Sequence, residues 1–443
     1  MSDDSWRMLM TPDRLGMDEP GQITPQRSPF QRDFDRVVFS GSFRRLQDKT
    51  QVFPLVKTDY VRTRLTHSLE TSSVGRSLGS AVGVFVCDNF DVGGVRSSDV
   101  GAVVAAACLA HDIGNPPLGH AGEEAIRYWF MNSEAAKPFH EKLAPAEFSD
   151  VGRYEGNAQG FRVLTKLEMP DRRGGMQLTC ATLGALAKYP GSSRSQYKKF
   201  SFFQAEKELF SEVAEHCGLA RVTPDEWARH PLSYLVEAAD DITYLIVDFE
   251  DGLRLGMIHP AELEELFLEL LDSPAARIEL ESVHTPRRRA EFLRAKVIGE
   301  LVRQTTAAFI ERHDEILAGK LAAPLLSFTP AAGILERIRR RSEESIYSNR
   351  RVAEVVAAGF EMVSGMLDIF VPCVDELAEE RAGGKAASSR SRRIGALLPE
   401  YAAADPEEFA RPYLRLLRVL DYISAMTDGY AVDLYQKLKG ISL

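Results

Sequence analysis

A long amphipathic pattern in the middle of the chain is the feature that most constrains the fold. Between residues 232 and 255, apolar side chains recur every three or four positions and form a broad stripe on one helical face. Alternating strand patterns are rare, and residues 50–53 are the best candidate for a short strand. Further helical periods occur at residues 34–39, 65–74, 100–108, 261–271, 288–317, 346–371 and 409–438. The sequence therefore predicts an all-α fold.

The 443 residues are expected to form three parts. Residues 1–30 are rich in Pro and Gly and predict an irregular N-terminal arm. Residues 31–260 carry the strongest motifs and are predicted to form the core. Residues 261–443 are predicted to form a helical region that packs on this core. Within that region, residues 381–393 (RAGGKAASSRSRR) are rich in Gly, Ser and Arg and predict an exposed, flexible loop.

The composition argues against several classes of protein. Lys and Arg number 54 and Asp and Glu number 64, for a net charge of −10, which is unlike a protein that coats nucleic acid but allows a local basic site. The longest apolar run, residues 103–110, is far shorter than the ~20 residues of a membrane span, and the acidic N-terminus is unlike a signal peptide. The five cysteines have no CxxC spacing, so neither a zinc knuckle nor a redox pair is indicated. We expect a cytoplasmic protein without a membrane partner.

The dipeptide His111-Asp112 is the first candidate for chemistry. It follows an apolar segment and precedes a helix-breaking stretch that starts at Gly114. A carboxylate beside an imidazole at the buried end of a helix is costly unless it is paired or binds a metal. The alternative is a hydrogen-bonded pair that merely ends the helix. A second such dipeptide, His313-Asp314, lies among charged residues and is interpreted as part of a solvated helix face.

Other residues favour the metal interpretation of this dipeptide. His67 lies on a predicted helix, and Asp240 belongs to an acidic pair, Asp240-Asp241, that interrupts the long apolar stripe. A carboxylate in such a setting needs a cation or a strong donor. Together with His111 and Asp112, these residues supply two imidazoles and two carboxylates. That set suits Mn²⁺, Fe²⁺, Co²⁺ or Ni²⁺, tolerates Mg²⁺, and leaves coordination positions open for catalysis.

His120 and Glu123 form a second candidate pair. Their i, i+3 spacing places both side chains on one helical face. A carboxylate beside an imidazole fixes its orientation and stabilises its protonated form, as a catalytic acid or base requires. The alternative is a histidine at a helix start with a solvated glutamate. Whether the histidine would act as an acid or a base stays open at this stage.

The combined motifs resemble one enzyme family. The segments are RDFDRVVFSGSFRRLQDKTQVFPL, RTRLTHSLE, LAHDIGNPPLGHAGE, EGNAQGFR and EAADDITYLIVDFEDG. They closely resemble the dGTP triphosphohydrolases of the HD-domain superfamily, from about residue 31 to 258, with a thinner likeness toward the C-terminus. The resemblance implies an HD-domain helical fold with additional C-terminal helices. It also implies hydrolysis of a deoxynucleoside triphosphate, dGTP first, to the nucleoside and intact triphosphate.

The resemblance assigns roles residue by residue. The implied metal ligands are His67, His111, Asp112 and Asp240, and the implied catalytic pair is His120 and Glu123. The implied nucleotide-binding residues are Gln47, Arg64, Asn157, Lys188, Tyr189, Tyr244 and Asp248, with Asp248 toward the sugar 3′-hydroxyl. The implied cofactor is a divalent metal, Mg²⁺ or Mn²⁺ first. A homo-oligomer, hexameric in many members of the family, is also implied.

Simpler interpretations exist for several of these positions. Lys188 could be a solvated lysine, Tyr244 could be a core residue, and Asn157 could cap a helix. The arginine runs at residues 287–289 and 337–341 are best read as solvated faces. Two other functions remain open: an HD-domain phosphohydrolase that acts on another nucleotide, and a nucleotide sensor or single-strand DNA-binding protein. A nucleotide or single-stranded DNA is also a candidate effector.

Overall fold

The computed structural model describes residues 5–19, 21–23, 27–51, 62–348, 350–398 and 409–442. Within these ranges the regular secondary structure is helical apart from one two-stranded ribbon, and the all-α prediction is confirmed. The first helices are α1 Ser5–Leu9, α2 Pro29–Val38, α3 Gly41–Arg45, α4 Arg64–Asn89, α5 Ser97–Ala110, α6 His120–Asn132, α7 Lys137–His140, α8 Pro145–Gly152, α9 Gly156–Arg162, α10 Cys180–Leu186 and α11 Lys207–His216. They are followed by α12 Pro231–Arg254, α13 Pro260–Leu271, α14 Pro274–Glu281, α15 Pro286–Glu311, α16 His313–Leu317, α17 Ala332–Ser342, α18 Arg350–Arg381, α19 Ser389–Gly395, α20 Pro412–Ser424 and α21 Asp428–Leu438.

Short 3₁₀ and π turns and one small two-stranded ribbon complete the secondary structure of the described residues. Leu46–Asp48, Gln204–Glu206 and Leu325–Phe328 are 3₁₀ turns, and Val163–Leu167 and Glu343–Tyr347 are π turns. Strands β1 (Arg221–Thr223) and β2 (Glu226–Trp227) pair antiparallel, and the sequence did not predict them. In the segment expected to be a strand, Thr50 forms an isolated bridge to Thr63, and residues 52–53 lie outside the described ranges.

A seam of small residues lets α4 and α5 pack closely in antiparallel order. A methyl group at Gly79 would come within 2.9 Å of Gly101 Cα, and one at Gly75 within 2.5 Å of Cys108 Sγ. The backbones approach because no side chain stands between them. The first turn of α4 therefore lies beside the last turn of α5. Helix α12 packs across both and completes a first hydrophobic core.

A second hydrophobic core lies among the C-terminal helices. Helix α18 packs against α6, α19, α20 and α21, and buries residues such as Val363, Met366 and Phe370. By length and composition, residues 353–381 of this helix are apolar enough to cross a membrane. In this structure the buried apolar side chains of α18 pack against neighbouring helices.

The N-terminal arm contains one short helix, α1, and packs against the rest of the chain. Trp6 of α1 is fully buried, and its Nε1 donates a hydrogen bond to His313 Nε2 at 3.0 Å. Arg14 pairs with the buried Asp33 at 2.7 Å. The interpretation of His313-Asp314 as a solvated face is therefore wrong for His313, which is buried under the arm, and right for Asp314, whose side chain is exposed.

Part of the basic segment at residues 381–393 is helical, whereas the sequence predicts a loop. Its second half belongs to α19, which Ser388 caps by accepting a hydrogen bond from Ser391 N. Arg392 pairs with Glu380 across the turn. A helix cap and a local ion pair thus turn half of the predicted loop into a helix. Whether the remainder is flexible stays a prediction.

Candidate active site

Three helices bring together side chains that could hold a metal ion. His67 lies in the first turn of α4, His111 directly follows α5, and Asp240 lies in the middle of α12. Asp240 Oδ1 is 3.2 Å from His67 Nε2 and 3.3 Å from His111 Nε2. One ligand atom from each residue lies within 4.8 Å of the other two. The close packing of α4 against α5 and the crossing of α12 therefore bring these three side chains together. Their spacing in the sequence could not establish that they meet.

The donor set fits a divalent metal. The Nδ1 of His111 donates to the Cys108 carbonyl oxygen at 2.6 Å, so the Nε2 of the neutral ring faces the cluster with its lone pair. Two imidazole nitrogens and a carboxylate oxygen are ligands that first-row divalent ions accept. The described cluster thus contains three of the four predicted ligands: His67, His111 and Asp240.

Asp112, the fourth predicted ligand, borders this cluster. Its Oδ1 is 3.5 Å from His111 Nε2, while its Oδ2 accepts a hydrogen bond from Arg64 Nη1 at 2.9 Å. Asn115 also donates to Asp112 Oδ1, at 2.5 Å. Burial alone would raise the pKa of Asp112, but the positive charge of Arg64 holds it far below its ordinary value. The carboxylate is therefore ionised beside the cluster.

Lys188 reaches the same cluster from the segment after α10. Its Nζ lies 2.5 Å from Asp240 Oδ2, and its side chain is buried. Burial opposes ionisation of both groups, but their mutual attraction raises the pKa of Lys188 and holds that of Asp240 well below its ordinary value. The neighbouring Asp241 behaves oppositely, because burial and the charge of Asp240 raise its pKa to about 7. The interpretation of Lys188 as a solvated lysine is wrong.

His120 and Glu123 form the predicted pair at the start of α6. Glu123 Oε2 accepts a hydrogen bond from His120 Nδ1 at 2.9 Å and another from Arg127 at 3.0 Å, while Oε1 accepts from Gly156 N at 2.8 Å. Burial raises the pKa of Glu123, but these partners lower it below its ordinary value. The carboxylate is buried, whereas the His120 side chain is 75% exposed. The glutamate is therefore a fixed support for an accessible imidazole and is not solvated.

One cavity of about 450 Å³ connects these groups. The predicted site residues that line it are Arg64, His67, His111, Asp112, His120, Glu123, Asn157, Lys188, Tyr189, Asp240 and Tyr244. Asn157 lies within α9 and its amide donates to Glu155 Oε1 at 2.7 Å, so its side chain does not cap the helix. The structure thus brings eleven of the thirteen predicted residues to a single cavity.

Tyr244 and Asp248 lie one helical turn apart on α12, and Tyr244 lines the cavity. Tyr244 stacks on Tyr347, with ring centroids 5.6 Å apart and planes within 10°. Tyr347 Oη donates to Asp248 Oδ2 at 3.0 Å. Asp248 is buried behind this pair and does not line the cavity, and burial raises its carboxyl pKa well above the ordinary value. The hydrogen bond from Tyr347 connects it to the wall of the cavity.

The prediction for Gln47 is not supported by its position. Gln47 is exposed in the 3₁₀ turn Leu46–Asp48 and does not line the cavity. Gln51, four residues later, lines the cavity instead, and its Oε1 is buried without a partner among the described residues. The turn thus directs Gln51 toward the cavity, and a role for Gln47 near the sugar stays a prediction.

Sequence reasoning missed further residues of the cavity. Lys199 lines it and has no ion-pair partner among the described residues, whereas its neighbour Lys198 is exposed outside it. Tyr347 comes from the π turn after α17, and Asn115 lies in the loop after the His-Asp pair. The GNPP motif that contains Asn115 was a usable signal. Lys199 and Tyr347 have no comparable local signature, because each enters the site by tertiary packing.

Comparison with known proteins gives a consistent result. The chain matches the HD domain family over residues 64–159. It is 42% identical to a deoxyguanosinetriphosphate triphosphohydrolase-like protein of Synechocystis sp., over 99% of this chain and 100% of the relative. A protein of the same description from Pseudomonas aeruginosa is 40% identical, over 99% of each chain. A deoxyguanosinetriphosphate triphosphohydrolase of Yersinia enterocolitica is 29% identical, over 92% of this chain and 93% of the relative.

Proposed function

The chain belongs to the deoxyguanosinetriphosphate triphosphohydrolase-like family of HD-domain proteins, and we propose that it hydrolyses deoxynucleoside triphosphates to deoxynucleoside and inorganic triphosphate. It is an HD-domain hydrolase, its substrate is a nucleotide, and its activity depends on a divalent metal. dGTP is the first substrate to test. The observation that carries the proposal is that the ligand cluster, the His120–Glu123 pair and several cationic side chains share one cavity.

We propose that His67, His111, Asp112 and Asp240 hold the metal, with Mg²⁺ or Mn²⁺ as the first candidates and Co²⁺, Ni²⁺ or Fe²⁺ as further ones. When bound, such an ion polarises a phosphoryl group and lowers the pKa of a water molecule. Arg64 and Lys188 already contact Asp112 and Asp240, and this supports their role in orienting the carboxylates.

The catalytic role in this proposal belongs to His120. Because Glu123 accepts the hydrogen bond from Nδ1, the proton that moves during the reaction is exchanged at Nε2. Nε2 can take a proton from the attacking water, or give one to the 5′-oxygen as the bond between it and the α-phosphorus breaks. Glu123 stabilises the imidazolium in either case, because it is an ionised carboxylate fixed by Arg127 and Gly156.

The remaining residues provide a place for each half of the substrate. Triphosphate carries several negative charges, so its binding needs cations and donors. Lys188, Lys199 and Arg64 supply positive charge, and Asn157 and Tyr189 supply polar hydrogen atoms along the same wall. The stacked Tyr244 and Tyr347 offer a flat apolar surface for a deoxyribose. We propose that Asp248 supports the sugar end through its hydrogen bond from Tyr347.

Product analysis tests this function directly. The purified protein is incubated with each deoxynucleoside triphosphate, singly and in pairs, with Mg²⁺ or Mn²⁺, and the products are separated by ion-exchange chromatography. We expect deoxyguanosine and intact triphosphate from dGTP. Release of pyrophosphate or single phosphate would contradict the proposal and favour another HD-domain phosphohydrolase activity. Binding of single-stranded DNA without nucleotide turnover would favour a binding protein.

Assembly, regulation and location form a second part of the proposal. We propose a homo-oligomer, hexameric as in many members of the family, which light scattering after gel filtration tests. A second nucleotide or single-stranded DNA is proposed as an effector, and paired nucleotide assays test the first case. We propose that the protein is cytoplasmic, which fractionation of the host cell tests.

A further inference from the structure

The turn that carries His120 has an uncommon backbone conformation. Leu118 has a φ of 62° and Gly119 a φ of 58°, so two left-handed residues precede the first residue of α6. Glycine adopts this region freely, whereas a leucine there is strained. Such strain persists only where the surrounding structure holds the residue in place. The contacts that hold Leu118 therefore also determine where the His120 imidazole points.

A buried carboxylate from the C-terminal region holds this turn. Asp428 Oδ1 accepts a hydrogen bond from Leu118 N at 2.9 Å, across 310 positions in the sequence. Its Oδ2 accepts another from Thr50 N at 2.8 Å, next to the cavity-lining Gln51. Asp428 is 2% exposed. Its neighbour Thr427 already caps α21 by accepting from Tyr430 N, so the carboxylate of Asp428 is not needed for the cap.

A contact with α18 and a bridge through Lys49 also connect this loop to the C-terminal helices. The Leu118 side chain lies against bare helix backbone, since a methyl group at Gly359 of α18 would come within 2.0 Å of Leu118 Cδ1. Lys49, which is buried, donates from Nζ to the Asn115 carbonyl oxygen at 2.5 Å and to the Ser424 carbonyl oxygen at 2.6 Å. The C-terminal helices thus contact the catalytic loop directly at the Leu118 amide and side chain, and Lys49 bridges them to the Asn115 carbonyl oxygen.

We propose that Asp428 is a positioning residue for the reaction. It holds the strained Leu118–Gly119 turn and the Thr50–Gln51 segment in one arrangement, so that His120 Nε2 faces the bound substrate. The C-terminal helical region is then part of the catalytic apparatus, although its helices lie about 300 residues from the His120 loop in sequence. This inference rests on the proposed role of His120, so its test includes a measurement that does not depend on turnover.

The kinetic test compares three variants of the full-length protein. Asp428→Ala removes both hydrogen bonds, whereas Asp428→Asn keeps the shape and one acceptor oxygen. Asp433→Ala removes an exposed carboxylate from the same helix, where it pairs with Lys437, and serves as the matched control. Because misplacement of a reacting group by about 1 Å costs about 100-fold, we expect kcat to fall about 100-fold in Asp428→Ala and about 10-fold in Asp428→Asn. KM for dGTP should change less than about twofold, and Asp433→Ala should match the wild type.

The second measurement is amide hydrogen exchange of the peptide that contains Leu118. Loss of its acceptor should raise exchange at this amide about tenfold in Asp428→Ala, while peptides from α4 and α5 keep their protection. Unchanged kcat per folded molecule, or unchanged exchange at Leu118, would overturn the inference. A wild type that hydrolyses no deoxynucleoside triphosphate would defeat the proposed function. If amide exchange at Leu118 still increased in Asp428→Ala, that result would support the hydrogen bond between Leu118 and Asp428 independently of turnover.

Discussion

Tyr347 donates a hydrogen bond to Asp248 at 3.0 Å, and this contact joins the π turn after α17 to the middle of α12. In the sequence, Asp248 precedes residue 260 and Tyr347 follows it, and residue 260 is the predicted end of the core. Because Tyr347 also stacks on Tyr244, one wall of the cavity is made from both regions. The proposed substrate site is therefore completed by a residue from outside the strongest sequence motifs.

Removing Tyr347 should weaken nucleotide binding in two steps. Tyr347→Phe keeps the ring stack and leaves Asp248 without this donor, so KM for dGTP should rise about 3- to 10-fold, as expected for one hydrogen bond. Tyr347→Ala also removes the stacking surface and should raise KM further, about 10- to 100-fold. Steady-state kinetics provide the measurement, with the exposed Tyr430→Phe as control. An unchanged KM in Tyr347→Ala would exclude this wall from the nucleotide site.

The pairing of Glu123 with His120 predicts a large effect on kcat. Glu123→Gln replaces an ionised carboxylate by a neutral amide, so the imidazolium loses its stabilising charge. We expect kcat to fall about 10²- to 10⁴-fold, the usual contribution of general acid–base catalysis. Glu124→Gln changes an exposed neighbour on the same helix and should leave kcat unchanged. Equal activity of the two variants would show that Glu123 does not support the catalytic histidine.

Lys199 should contribute to triphosphate binding, although the sequence did not identify it. It lines the cavity together with Glu155, whose charge it partly offsets, and it forms no direct ion pair among the described residues. Loss of one charged hydrogen bond costs about 1.5–3 kcal/mol, so Lys199→Ala should lower kcat/KM about 10- to 100-fold. The adjacent Lys198→Ala is the control, because Lys198 is exposed and outside the cavity. Equal losses in both variants would point to a diffuse charge effect.

Removal of one metal ligand should abolish both metal content and activity. His111→Ala removes an imidazole nitrogen from the described cluster, and we expect the protein to lose its bound divalent metal and at least about 99% of its turnover. Mass spectrometry of the metal content and the dGTP assay are run on the same samples. His284→Ala, at an exposed histidine outside the cavity, should retain both. Full activity in His111→Ala would refute the ligand assignment.

His230 should make stability depend on pH. Its Nε2 donates to the Leu9 carbonyl oxygen at 2.9 Å while Nδ1 accepts from Leu232 N, and burial lowers its pKa to about 4. Between pH 6.5 and 4 the unfolded chain binds a proton that the folded chain does not. The free energy of unfolding should therefore fall as the pH falls through this window, by about 3 kcal/mol in total.

Urea unfolding at several pH values measures this effect. The wild type should lose stability with an additional slope of about 1.4 kcal/mol per pH unit relative to His230→Gln, which has no imidazole to protonate. Above pH 6.5 the two stability curves should run parallel. Parallel curves between pH 4 and 6.5 as well would mean that His230 is protonated equally in both states.

The helices and most of the site chemistry could be predicted from the sequence because both have local signals. A period of three to four residues reflects which side chains share a helical face, and the α12 stripe shows it clearly. The His111-Asp112 and His120–Glu123 pairs are likewise visible within a few residues. The contrast between the exposed Gln47 and the cavity-lining Gln51 shows the limit of such signals, since the direction of a side chain changes with one irregular turn.

Tertiary structure alone decided which distant residues meet. The sequence by itself determined a helical protein with imidazoles and carboxylates at helix ends and on one apolar stripe. It did not determine that Lys199 and Tyr347 enter the cavity, or that Asp428 holds the turn before His120. Those contacts depend on how helices with similar apolar faces pack against one another. The physical reason is that hydrophobic burial is non-directional, so the choice of partner is made by shape, close backbone approach and buried hydrogen bonds between segments far apart in the chain.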